Sequence, residues 1–412
     1  MKLKNLNKKI IGLTLASLVA ITGCSPDANA YKPVEQQGDP VSTQPGQISQ
    51  TEPHTPDTPQ GLMAIGERYE LNGKMESYLT GQWVSTDIAT RRPMAVMIPN
   101  NKNCLPQYGV SFADVIYEAP MESCSCTRLM GLFQDYDKLE FIEPIRSSRH
   151  YFLYEALSYD AIYCNWGLAV PYVGPLINSD WVDNVSAAVS GIDVAASEAF
   201  SRDKERQEQG YSLEYTGIMS IEGYNAAVAR LGYDTKYPTP NYTFPLQFAT
   251  DAYLAEYEDY LDITEIYPGG DHNQARANGY QELNPYFIYN PEDHLYYRYQ
   301  NGAPHVDEVN GEQLAVTNVI IKYVSGSVLD DHGYMNFDVF GNGEGVLFTN
   351  GKCVDLKWSR IYPIDENLDY NENLYSQTRF YDAQTGDEVI LNRGKTWICL
   401  VWDEYRLYTK YI

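Results

Sequence analysis

The sequence predicts an α+β protein: a mixed α/β N-terminal domain followed by a mostly β C-terminal domain. Three observations carry that assignment. Between residues 75 and 250, short apolar runs such as Met94–Ile98 and Val115–Ala119 are mixed with amphipathic helical stretches, of which Ile221–Leu231 is the clearest. From residue 251 onward, short alternating runs separated by turn signals such as Asn301-Gly302 dominate. About 350 residues follow the low-complexity N-terminal segment, a length that favours two domains over one.

The N-terminal elements come first. Lys2, Lys4, Lys8 and Lys9 precede an apolar stretch, Ile10–Ile21, which is too short for a permanent membrane helix and right for a signal-peptide core. Ile21-Thr22-Gly23-Cys24 closes it with small residues before a cysteine, a pattern that resembles the bacterial lipobox. Residues 1–23 are therefore expected to be a lipoprotein signal peptide, with Cys24 acylated as the new N-terminus. Two acyl chains anchor stably where one is marginal. The expected location is the extracytoplasmic face of the cell membrane, with the membrane as the first partner. Residues 24–74, rich in Pro, Gln, Ser and Thr at least as far as Gly61, cannot bury enough apolar surface to offset their ordering entropy and read as a tether.

The N-terminal domain, residues 75–250, is read from its runs. Met94–Ile98, Val115–Ala119, Leu129–Phe133 and Ala161–Cys164 are expected strands. Ser147 or Ser148 is expected to cap a helix through Tyr159, since Phe152, Ala156 and Tyr159 share a face. Ser220 should cap a helix over Ile221–Leu231, and Gly232 should stop it. In the C-terminal domain, residues 251–412, strands are expected at Tyr286–Tyr289, His294–Tyr299, Val316–Tyr323, Val346–Phe348, Val354–Trp358 and Thr396–Trp402. Gly341-Asn342-Gly343-Glu344-Gly345 lacks the strand-then-helix context of a nucleotide loop and is expected to be a hairpin turn. Asp365–Asn371 begins like a calcium loop, but Tyr370 stands at the glycine position, so no real site is expected there.

Charge and cysteine content narrow the function classes. The chain carries a formal charge of −25, and without the four signal lysines −25 − 4 = −29. So acidic a body excludes non-specific nucleic-acid binding. Six cysteines follow Cys24, at 104, 124, 126, 164, 353 and 399, with spacings that match no zinc pattern. One or two disulfides, or buried free thiols, are expected, and neither a metal nor a cofactor.

Several ordered blocks between residue 75 and the C-terminus resemble the DUF3048 lipoprotein family. In the first half these are Arg92–Ile98, Asp114–Glu118, Thr127–Met130 and Pro144–Arg149. In the second half they are Gly343–Phe348, Asn350–Lys352, Trp358 and Leu391–Ile398. The resemblance implies a two-domain extracytoplasmic lipoprotein and leaves the biochemical activity open. The chain departs from the family pattern at three places. Asn165-Trp166-Gly167 stands where a histidine is frequent, a His-Asn pair is missing near Ser212–Tyr215, and Ser123–Cys126 replaces a glycine pair.

The strongest local chemistry is Arg146-Ser147-Ser148-Arg149, two guanidinium groups and two hydroxyls at an expected helix start, with Arg128 joining across the sheet. One reading is a ligand-binding pocket built from Arg128, Arg146, Ser147 and Arg149 for a phosphate or carboxylate. The other is internal pairing of these arginines with Glu118, Glu122 and Glu143. Glu118, Glu122 and Asp160 are the candidate acids of a hydrolase, but on a regular strand Glu118 and Glu122 would stand roughly 13 Å apart, too far for an acid–base pair. Cys124 or Cys126 with His150 would make a Cys–His pair only if folding joined them. Two functions are expected to compete: a non-enzymatic binding or regulatory module contacting an envelope protein or anionic wall polymer, and a hydrolase of an envelope glycan or peptide. Solute capture for a transporter is a third, disfavoured by the β-rich second half.

Overall fold

The computed structural model describes residues 68, 70–187, 194–237, 245–250, 255–270, 278–362 and 372–412. Cys24, most of the tether and Asp365–Asn371 lie outside them. The described residues belong to one compact unit built on an 11-stranded mixed sheet. Its strands are β1 (Met94–Asn100), β2 (Val115–Pro120), β3 (Thr127–Phe133), β4 (Ile162–Trp166), β5 (Asn184–Ala187), β6 (Leu261–Asp262), β7 (Asn318–Val324), β8 (Gly341–Thr349), β9 (Lys352–Arg360), β10 (Arg379–Asp382) and β11 (Thr396–Trp402). Their order is β6-β9-β8-β7-β11-β2-β3-β1-β4-β5, with β10 also on β9. The architecture is α+β: helices accompany the first half, and strands make up most of the second. The segments 75–250 and 251–412 share this sheet, because β11 pairs in parallel with β7 on one side and β2 on the other.

Strand alternation sorts the core into two faces. On one face Met97, Tyr117, Met130, Leu132, Tyr163, Ile320 and Ile398 pack under α1 (His150–Leu157) and α2 (Val170–Ile177). On the other, Ile98, Ile116, Leu129, Ile162, Val319 and Trp397 pack under α3 (Ile221–Leu231) and a smaller sheet that includes Tyr286–Asn290 and Leu295–Gln300. Both faces are covered, which is why these strands read as near-continuous apolar runs.

Most expected elements appear within two or three residues of their predicted bounds. Ser220 accepts a hydrogen bond from the Gly223 amide and Gly232 ends α3 at φ 75°. Asn350-Gly351, both at positive φ, turns β8 into β9, as a two-residue hairpin requires. Two expectations need correction. Helix α1 starts at His150 with Arg149 as its cap, because Ser148 is held extended by its amide bond to the Gly167 carbonyl at 2.8 Å. Gly341–Gly345 is the first half of β8 and not a turn. A Cβ at Gly343 would stand 2.4 Å from Trp358 Nε1, so glycine there lets the cross-strand indole lie against the backbone.

Candidate anion-binding site

The site forms at the carboxyl ends of the parallel strands β1 and β4, where open α/β sheets place their ligands. The Arg146 amide donates to the Met97 carbonyl at 2.9 Å and the Trp166 amide to the Arg146 carbonyl at 3.1 Å. This locks the Arg146–Arg149 segment across those ends and delivers α1 beside it. Arg128 lies opposite Pro99 and Ala119 near the start of β3, so it too stands at this end of the sheet, on the face covered by α1.

Arg128 links the other two predicted arginines: Arg146 acts on its charge, and Arg128 shares Tyr151 and Tyr163 as neighbours with Arg149. Arg128 and Arg149 each remain only 6 % exposed. Burial and the neighbouring Arg146 push the Arg128 guanidinium down to about 10. Its one hydrogen bond among the described residues runs to the Ser147 carbonyl, at 2.5 Å. Arg146 pairs with Glu214 at 2.5 Å and lies over the Tyr215 ring. Arg149 pairs with Glu122, donates to the Ser148 carbonyl at 2.6 Å and lies over Tyr334. The Nε groups of all three arginines are buried without a partner. No side chain caps α1, which leaves its first-turn N–H groups open. Ser147 enters through its carbonyl, since its hydroxyl donates to the Trp166 carbonyl at 3.3 Å.

The pairing expectation divides. Glu122 does pair with an arginine of the cluster; Glu118 and Glu143 do not. Alternation along β2 puts Glu118 on the opposite face from Arg128. There it is fully buried, paired with Arg298 at 3.0 Å, and accepts hydrogen bonds from Thr127, Asn100 and Trp397. Glu143 lies 2.9 Å from Arg206, with burial pushing its carboxyl up to about 7. Asp160 is at the wrong end of the sheet: it precedes β4, where Arg92 bridges it and Asp183 at 3.0 and 2.6 Å. The three hydrolase candidates are thus each held by a different arginine.

Two contributors had no clear signal in the chain. Arg202 lies 3.6 Å from the Trp166 ring centroid, and the positive charge of Arg146 lowers its pKa after burial does. Glu214 sits on a 3₁₀ turn 68 residues beyond the arginine it pairs with. All six described cysteines are free, so the disulfide alternative is replaced by the thiol one. His150 bonds to Asn336 at 2.8 Å, and no bond joins it to Cys124 or Cys126. Two of the cavities among the described residues lie elsewhere. One, of about 290 Å³, is lined by residues including Asp114, Gln134 and Lys395. The other, of about 260 Å³, is lined in part by Tyr323, Trp358 and Tyr362.

Comparison with known proteins supplies the family. Residues 79–230 match the model of the "Protein of unknown function (DUF3048) N-terminal domain", and residues 275–398 match that of the corresponding C-terminal domain. The chain is similar to the Bacillus subtilis (strain 168) protein "Putative lipoprotein YerB", with 25 % identity over 330 residues, 80 % of this chain and 87 % of that one. The crystal structure of YerB from Bacillus subtilis superposes with a TM-score of 0.64 at 23 % identity, covering 82 % of this chain and 99 % of that chain. With both matched segments in order along one sheet, the chain belongs to the DUF3048 family.

Proposed function

We propose that the protein is a lipoprotein held at the outer face of the cell membrane through Cys24. Its folded body acts there as a non-enzymatic binding or regulatory module. Its partner is an envelope protein or wall polymer that presents an anionic group to Arg128, Arg146 and Arg149. The anchor reading rests on the basic and apolar segments before Cys24 and on the name of the Bacillus relative. No helix among the described residues is long and apolar enough to cross a membrane. The binding reading rests on one observation above the others: Arg128 is a buried cation with no carboxylate partner among the described residues. A charge kept out of water without a counter-ion is costly, and an external anion would offset that cost.

The test has two parts. Intact mass of the protein extracted from native membranes should correspond to a chain starting at Cys24 and bearing two acyl groups; an unmodified thiol, or residues upstream of it, would remove the anchor. Crosslinking in membranes should recover one dominant envelope partner, lost in a folded Arg146→Ala/Arg149→Ala variant. Recovery unchanged by that variant would remove the arginines from the reading.

A further inference from the structure

We infer that the arginine site takes a phosphate group, and that Glu122 and Glu214 are internal counter-ions which this group displaces. The inference rests on the anion-binding reading above and names the ligand chemistry of that same site.

Three features point to it. The first is the split in burial between the charges. The Arg128 and Arg149 side chains are fixed in the interior, while the Glu122 and Glu214 side chains that neutralise their cluster are 28 % and 46 % exposed. Glu118 and Glu155, each bound to internal cations elsewhere, are fully buried. The glutamates at the arginine site therefore sit at its rim, where a swing into water frees the cations without opening the core. The second is the donor set left over. The Nε groups of Arg128, Arg146 and Arg149 lack acceptors, and the α1 N-terminus carries no side-chain cap. These donors come from separate guanidinium groups and a helix end, on two stretches of chain, β3 and the segment that runs from Arg146 into α1. One arginine fork satisfies a planar carboxylate. A tetrahedral group with three or four oxygens can accept from several donors that approach from different sides. The third is charge. With both glutamates in place, Arg128, Arg146 and Arg149 retain one uncompensated positive charge, and displacing both raises it to three. A doubly or singly charged phosphate fits that range better than a lone carboxylate, which would only repeat what Glu122 and Glu214 already do.

The experiment is calorimetric titration of the full-length chain in detergent micelles with inorganic phosphate and with acetate. Two further arms identify the source of the group: a soluble glycerol-phosphate polymer, and mixed micelles containing phosphatidylglycerol. Phosphate is expected to bind measurably tighter than acetate. Glu122→Gln and Glu214→Gln should each tighten phosphate binding by about two- to fivefold, the scale of one exposed ion pair. Arg128→Gln should abolish it. If the glutamate variants bind phosphate no better than the parent chain, or acetate binds as well as phosphate, this inference fails and the general anion-binding reading survives. If neither the parent chain nor the Glu122→Gln/Glu214→Gln variant binds any of these anions, both fail. A thermal melt accompanies each variant. Should Arg128→Gln not fold, the two glutamate variants alone decide the matter, since both side chains are at the rim.

Discussion

Glu118 and Arg128 sit one residue apart in the antiparallel register of β2 and β3, Glu118 facing Leu129 and Arg128 facing Ala119. They point to opposite faces of the same sheet, and their surroundings could hardly differ more. Glu118 is met by an arginine, an asparagine, a threonine and an indole N–H, and its partner Arg298 donates onward to His305 at 3.2 Å, whose other nitrogen meets Gln107 at 2.6 Å. Arg128 is met by a single carbonyl. A second buried network shares the Arg128 face: Glu155, on α1, holds Lys322 at 2.8 Å and Arg360 at 3.4 Å. Burial is common to all three places. The difference is in the counter-ion: Arg298, Lys322 and Arg360 each meet a buried carboxylate, and Arg128 meets none among the described residues.

That comparison can be broken or sharpened by substitution. The largest effect should come from Glu155→Gln, which strands Lys322 and Arg360 together; a loss on the order of 3–5 kcal/mol is expected from removing one partner of a buried ionic cluster, read from the urea midpoint. Arg298→Ala should cost a similar or slightly smaller amount, about 3 kcal/mol or more, because Glu118 keeps its neutral donors. A loss below about 1 kcal/mol, the value of an exposed pair, would mean that the network is not structural. The third test uses pH. Burial and the Arg298 charge hold His305 well below its ordinary value of 6.5. The unfolded chain therefore binds a proton that the folded chain refuses, and stability should fall as pH drops below 6.5, by up to about 1.4 kcal/mol per pH unit. The slope should shrink in His305→Gln, followed by thermal melts across pH 5 to 7 as a roughly bracketing range; an unchanged slope would exclude His305 as its source. The smallest effect on stability belongs to Arg128→Gln. Taking away an uncompensated buried cation should move stability by less than about 1 kcal/mol, and a gain is allowed. A loss as large as that of Arg298→Ala would make Arg128 a scaffold residue after all.

How much of this was legible in the chain depended on distance along it. Helix α3 could be read residue by residue, since its cap, apolar face and terminating glycine lie within a dozen positions of one another. The strands of the main sheet were visible because both faces are buried and their apolar runs are unbroken. Arg146 and Arg149 stood out because like charges and hydroxyls fell within four residues of an expected helix start. The partner of Glu118 could not be found this way: Arg298 is 180 residues away and arrives from another sheet. Which face Glu118 would take was open too, because every residue of β2 is buried and the run shows no polar–apolar alternation. The glycines at the start of β8 misled for a physical reason. Glycine spacing usually marks a turn, and here it makes room for the Trp358 and Tyr362 rings.

The position of β11 carries a consequence for how such a chain matures. The strand that closes the sheet between β2 and β7 is made from residues 396–402 and follows every other strand of that sheet in the chain. Until it arrives, β2 and β7 each present a bare hydrogen-bonding edge of the kind that recruits other chains. A copy truncated or nicked upstream of Thr396 would keep both edges, and β3, which carries Arg128, would hang from a half-sheet. Thr396–Trp402 is thereby the strand that joins the half of the main sheet carrying Arg128 to the half carrying β7.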